Sequence, residues 1–333
     1  MSAPRVVAAQ AVAHRLRVHH LHERLPAGSY LEAARFGLQD TVPRDALLAL
    51  HARVEACEPD AWEAPGLVQP YGPRQAVYVL RADDWATFTL GRLPRDPDAV
   101  RALDELAEAV LAAGDLSAAV AAHARTACAT GRLAIRWDAS RVTVRSVPVP
   151  EADAEEARRA LCRLHVAAFG PTTRGAYAWW AGVAPRDARA TWDAVLPDLV
   201  EVDLEGVGAH VLPEHRDDLG DGAPAEGVRL LVQPDLRLLG RDRTGLLAGP
   251  GLRALDPALD GHHPHGVLVD GRLAGAWGRR GGEVDVRLSR AVPRVVREVV
   301  EAEALAMPVP GVGMRVQVTP PPPARGGGTP PRG

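Results

Sequence analysis

One order of elements occurs three times in succession along this chain: runs with helical periodicity, then two β-type runs joined by a tight turn. This repeat limits the possible folds more than any other feature, because each run has a single apolar face to bury. In the first copy, residues 5–24 place Val7, Ala11, His14, Val18 and Leu21 at spacings of three and four, which predicts one helix. SYLEAARFGL predicts a second, with Ser29 as N-cap and a stop at Gly37; PRDALLALHARV predicts a third, with Pro43 in its first turn. GLVQPYGPRQAVYVL then reads as a hairpin around Gly72-Pro73. Three helices and a two-stranded wing make a winged helix-turn-helix.

The second copy combines a short helix around Asp83–Leu90 with the stretches DPDAVRALDELAEAVLAAG and LSAAVAAHARTA. Its hairpin, GRLAIRWDASRVTVRSV, turns at Asp138-Ala139-Ser140. The third runs from Glu151 through PEADAEEARRALCRLHVAAFG, TTRGAYAWWAG and APRDARATWDAVLP to strands around Glu205-Gly206. Beyond a polar, Gly/Pro-containing stretch the pattern changes to the strand-like runs VRLLVQPDLRLL, GVLVDGRLAGAWGRR and GGEVDVRLS with an Asp270-Gly271 turn, closed by the helix-like PRVVREVVEAEALA; a small β-barrel with a packed helix is expected. The fold class is thus α+β. Winged helices are expected at 1–82, 83–150 and 151–213, a linker or loop at 214–226, the barrel at 227–318 and a disordered tail at 319–333, where TPPPPARGGGTPPRG has nothing to bury.

Of the 333 residues 47% are apolar and 24% charged, the balance of a soluble globular protein. No apolar run approaches the roughly 20 residues that a bilayer requires. The N-terminal stretch is interrupted by Gln, Arg and His, unlike a signal peptide, so a cytoplasmic protein is expected. Cys57, Cys128 and Cys162 form no CxxC pair and read as reduced thiols. All 39 Lys+Arg positions are arginine, as a GC-rich genome would produce, and the net charge of −3 excludes a globally basic nucleic-acid binder while leaving room for a local arginine-lined groove.

Glycine-rich phosphate loops, HExxH, GxSxG and zinc spacings are absent, so the commonest enzyme motifs have no support. His14, His19, His20 and His22 spread around a helix and read as structural or solvated. His262, His263 and His265 lie in a Gly/Pro turn without a matching carboxylate or cysteine, and no metal is assigned. Trp179, Trp180, Trp192 and Trp277 read as core before they read as stacking platforms for bases. Arg35, Arg44, Arg74, Arg186, Arg241 and Arg243 stand at helix starts, turns and strand ends, from which guanidinium groups reach phosphates; solvated arginine is the plain alternative for each.

GLQDTVPRD places Gln39, Asp40 and Thr41 side by side before the third helix. Asp40 or Thr41 would cap that helix, which leaves Gln39 without a local purpose. The stretch from about Val12 to Leu93 with RFGLQDT inside it, together with AAFGPTTRGAYAWWAG, LLVQPDLRLLGRDRT and GVLVDGRLAGAW, resembles the AlkZ/YcaQ winged-helix DNA glycosylase family, over nearly the whole chain to about residue 310.

The resemblance implies tandem winged helices and a β-barrel in a C-shape around a concave DNA channel. It also implies removal of bulky N-alkylated purines, crosslinked ones included, with no metal or redox cofactor. The implied partner is double-stranded DNA carrying such lesions, bound by a monomer. The family's Gln-apolar-Gln or Gln-apolar-Asp motif aligns with Gln39, Asp40 and Thr41, although here the carboxylate stands at the second position. Its Thr-Leu-His on the following hairpin is replaced by Arg74-Gln75-Ala76-Val77-Tyr78, which places Arg74 and Tyr78 on the DNA side.

An N7-alkylated purine is a cationic leaving group, so the chemistry needs an oriented water and stabilisation of an oxocarbenium-like sugar. Asp40 would orient the water or offset the sugar's charge, Gln39 would hold the water, and Thr41 would complete the hydrogen bonds. The loss of the second Gln and of the hairpin His keeps open a non-catalytic binder of damaged or branched DNA; a transcriptional regulator is the third and weakest alternative.

Overall fold

A computed structural model describes residues 3–42, 44–113, 118–138, 140–220, 226–239 and 265–321. The first strand, β1 (Arg5–Val6), pairs in parallel with β7 (Val200–Leu204), which pairs in turn with β8 (Val207–Val211). That pairing shortens the helix expected over 5–24 to α1 (Ala8–Val18). A strand partner almost 200 residues away leaves no local mark in sequence. α2 (Tyr30–Ala33) is a single turn, and the Ser29 side chain makes no capping hydrogen bond. Pro43 lies outside the described residues; α3 (Asp45–Arg53) starts after Arg44, a non-glycine residue at φ 74°.

Between α2 and α3 the chain forms β2 (Leu38–Gln39), which pairs with β4 (Tyr78–Arg81), itself the partner of β3 (Leu67–Val68). Side chains alternate along β4. Val79 enters a core with α3 and the C-terminal sheet, while Tyr78 and Leu80 enter another with four later helices. Val77, just before the strand, belongs to a third cluster with the next helices and hairpin.

α4 (Trp85–Phe88) leads to α5 (Pro97–Ala113) and α6 (Ala118–Ala127), followed by the hairpin of β5 (Leu133–Trp137) and β6 (Val142–Ser146). Asp138 holds that turn by accepting from the Ser140 and Arg141 amides, each at 3.0 Å. α7 (Ala154–Phe169) begins where Asp153 accepts from the Glu156 amide at 2.8 Å, with Glu155 and Glu156 complementing the first-turn dipole. α8 (Arg174–Ala181) is capped by Thr173, and α9 (Pro185–Val195) opens on its proline. Gly182, at φ 68°, ends α8 where a Cβ would sit 2.9 Å from the Arg74 backbone nitrogen, so only glycine lets α8 approach the turn of the β3–β4 hairpin.

The sequence predicts a small β-barrel in the C-terminal region. Among the described residues β9 (Val228–Leu231), β10 (His265–Val269), β11 (Arg272–Arg280), β12 (Glu283–Leu288) and β13 (Arg315–Thr319) form an open sheet in the order β13-β12-β11-β10-β9. The stretch QPDLRLL, expected as strand, is a 3-10 segment, Gln233–Leu239. β13, parallel to β12, had no sequence signal beyond a five-residue alternation beside the proline-rich tail. α10 (Arg294–Leu305) lies against both edge strands, β9 and β13. The Asp270-Gly271 turn forms as expected, with both residues at positive φ.

α3 is tied to this region by a buried ion pair: Arg53 donates to the two carboxylate oxygens of Asp235 at 2.7 and 2.8 Å, and its side chain is 1% exposed. Asp235→Ala should therefore cost about 3–5 kcal/mol, because an uncompensated guanidinium is left in the core. A fall in the thermal midpoint checks this, and an unchanged midpoint would refute it.

Candidate active site

β2 sets the site by alternation. Leu38 and Asp40 face inward, 4% and 3% exposed, whereas Gln39 is half-buried and Thr41 is exposed. Gly37, at φ 70°, precedes them where a Cβ would lie 2.8 Å from the Phe88 ring. The three neighbours in sequence thus divide into two groups.

Gln39 and Thr41 form the first. Arg237 Nη2 donates to Gln39 Oε1 at 2.6 Å, and Gln39 Nε2 donates to Thr41 Oγ1 at 2.6 Å. Because a guanidinium can only donate, the amide oxygen must face Arg237 and the amide nitrogen Thr41. Arg237 also bonds the Tyr78 hydroxyl, whose pKa burial raises. Its guanidinium lies 5.7 Å from the centre of a Trp179 ring that carries Arg74 at 4.1 Å. Beside Arg237 opens a pocket lined with Arg15, His165, Phe169, Thr172 and Trp179. His165 bonds Thr172 Oγ1 at 3.0 Å, and burial, then Arg15, lowers its pKa to about 3, so it is neutral there.

Asp40 forms the second group. It accepts from the Ala46 amide at 3.0 Å, capping α3, and from Gln69 Nε2 at 3.5 Å. Gln69 in turn accepts from the Trp137 amide at 2.8 Å, which ties the cap to β5. Burial raises the Asp40 pKa to about 6, outweighing the Ala46 amide and Arg44, which favour its charge. Asp45, 1% exposed, has its pKa raised well above the usual carboxylate range by burial and then by Asp40 and Asp235.

The remaining candidates are dispersed. Arg44 lies 4.5 Å from the Trp62 ring centre and donates to the Asp138 carbonyl at 3.3 Å. Arg35 pairs with Glu32 at 3.7 Å, and Arg186, largely exposed, stands 3.6 Å from Asp187. Arg241, Arg243, His262 and His263 lie outside the described residues. Tyr78, a candidate for touching DNA, is 3% exposed; it stands opposite Gln39 in the β2–β4 pairing and its hydroxyl meets Arg237.

Trp180, Trp192 and Trp277 are core, as their spacing suggested, while Trp179 is half-buried and supports two arginines. His14 is buried against His215, and His265 accepts from the Gln233 amide at 2.9 Å. Sequence reasoning missed Arg237, Gln69 and Asp45. Arg237 lies in LLVQPDLRLLGRDRT, one of the stretches carrying the resemblance, but attention there fell on Arg241 and Arg243.

The raised Asp40 pKa gives a pH test. The folded chain holds this proton more tightly than the unfolded chain, so the group's stabilisation is complete below about pH 4 and is lost as pH rises through about 6. Asp40→Asn lacks that loss, so its thermal midpoint relative to wild type should climb between pH 4 and 7. A constant difference would refute the raised pKa.

A family model described as DNA glycosylase AlkZ-like matches residues 33–307, a span that contains Gln39, Thr41 and Arg237. The solved structure of Streptomyces sahachiroi DNA glycosylase AlkZ is similar in fold, with a TM-score of 0.74 at 21% identity, over 95% of this chain and 100% of that one. An interstrand DNA cross-link repair glycosylase of Streptomyces sahachiroi is 32% identical over 133 residues, 39% of this chain. The aligned stretch spans about a third of that relative's length, 35%. The chain has a mixed α+β fold and belongs to the AlkZ-like DNA glycosylase family.

Proposed function

We propose that this protein is a monofunctional DNA glycosylase that hydrolyses the N-glycosidic bond of bulky N-alkylated purines, interstrand crosslinks among them. One observation carries the reading: in a chain of this family, the Gln39 amide is fixed between Arg237 and an exposed Thr41 hydroxyl. After these two bonds Gln39 keeps one N–H and one lone pair of Oε1, and Thr41 keeps its hydroxyl proton. A water lodged between them is oriented toward the anomeric carbon of a sugar presented at the surface. Asp40, buried beneath, supplies charge and not contact: once ionised, above about pH 6, it offsets the positive sugar. No proton need be given to an N7-alkylated purine, because it leaves as a neutral base when the C1′–N bond breaks; the water that bonds to C1′ loses its proton to solvent at the exposed Thr41 side. This division of roles suits a motif in which the third position is a hydroxyl.

In this reading the three helix-and-hairpin units are tandem winged helices that join the C-terminal sheet in a C-shaped channel for duplex DNA. Arg35, Arg44, Arg74, Arg186, Arg241 and Arg243 contact phosphates along it. An open channel suits adducts too large to be extruded into an enclosed pocket. The protein works as a cytoplasmic monomer, without a metal or cofactor.

The decisive measurement is release of modified base from a duplex carrying a defined N7-alkylguanine. Gln39→Ala should slow single-turnover release about 10²–10³-fold and Thr41→Val about 10-fold, with DNA affinity nearly unchanged. Tight binding by wild type without release would instead establish the non-catalytic damage-binding protein. Affinity should also fall linearly on a log–log plot against salt, and affinity independent of salt would remove the phosphate-contacting role of the arginines.

A further inference from the structure

Gln39 is a long side chain on a two-residue strand, with three torsions to be fixed before its amide can hold a water. Its orienting partner comes from a segment 198 residues away. Arg237 reaches Gln39 Oε1 from the 3-10 segment Gln233–Leu239, the same segment that Asp235 anchors to α3 through Arg53. Its planar guanidinium presents several donors at fixed angles: one goes to Gln39, and another bonds the buried Tyr78 hydroxyl. Trp179 lies beside it within cation–π range, at 5.7 Å. Arg237 is therefore held on three sides, and its charge cannot itself favour a positive sugar.

We propose that Arg237 is a positioning residue for the glycosylase reaction. It directs the oxygen of the Gln39 amide away from Thr41, so that the amide nitrogen and the Thr41 hydroxyl face the water together. Trp179 is the shelf that keeps Arg237 in place. This assignment rests on the glycosylase reading above, and it adds a residue of the C-terminal region to a site otherwise built from β2 and the residue pair that follows it.

Three variants test it: Arg237→Met, which removes the donors, Arg237→Lys, which keeps one, and Gln39→Ala combined with Arg237→Met. Single-turnover release from the N7-alkylguanine duplex should fall about 10–100-fold in Arg237→Met, with affinity for the same DNA within about 3-fold of wild type and an intermediate rate for Arg237→Lys. Because Arg237 acts through Gln39, the double variant should be no slower than Gln39→Ala alone. Multiplicative losses, or a loss of affinity that matches the loss of rate, would make Arg237 a direct DNA contact and overturn the proposal.

A second readout needs no activity: the side-chain amide resonances of Gln39, assigned by their disappearance in Gln39→Ala, should shift in Arg237→Met and shift less in Arg237→Lys. Unmoved resonances overturn the positioning role by themselves. Absence of release by wild type, with those resonances shifted, would instead overturn the glycosylase reading, and with it the catalytic meaning of the contact.

Discussion

The alternation of side chains along β4 and the residues just before it is the constraint on which the assembly depends. Val77, Tyr78 and Val79 are consecutive, yet each enters a different hydrophobic cluster. A shift of one residue in the register between β2 and β4 would turn every one of these side chains to the wrong face. The same pairing sets Gln39 opposite Tyr78 and Leu38 opposite Val79. The strand that joins the cores therefore also decides which side chains of the Gln39–Asp40–Thr41 stretch face outward.

The polar groups around β2 are organised by that choice. Inward, Asp40 satisfies the start of α3 and reaches β5 through Gln69, with a carboxylate whose charge is costly because it is buried. Outward, Gln39 and Thr41 share a hydrogen bond with capacity to spare. The C-terminal segment serves both: Asp235 pairs with Arg53 of α3, and two residues later Arg237 donates to Gln39 of β2. Two apart on a 3-10 segment of three residues per turn, these side chains diverge by about 120°, so that one reaches α3 and the other β2. A continued strand, as the sequence pattern suggested, would have paired this stretch with its neighbour instead.

Elements whose partners are near in sequence were legible. α5, α7 and α9 follow apolar stripes, and the turns at Asp138, Glu205-Gly206 and Asp270-Gly271 follow from residues that tolerate positive φ or hydrogen-bond their own backbone. Elements with distant partners were misread. Arg5–Val6 looked like the first turn of a helix because β7 is needed to make it a strand, and Arg315–Thr319, at the end of the expected barrel, was assigned no element because β12 is needed to recruit it as β13. The tripeptide at 39–41 was visible, and so was its capping function, which falls to Asp40 alone. Arg237 could not be singled out, because an arginine in an arginine-only chain carries no local signal and its partner is far away in sequence.

By itself the sequence determined the helix stripes, the hairpin turns, the α+β class and the polar stretch at the start of α3, since these follow from backbone preferences and periodicities acting over a few residues. Only the tertiary structure decided that Asp40 points into the core while Gln39 and Thr41 point out, that the C-terminal sheet is open among the described residues, and that Arg237 completes the Gln39 site. These depend on pairing register and on contacts between residues far apart in the chain, where the free energy lies in packing and desolvation and not in local conformation.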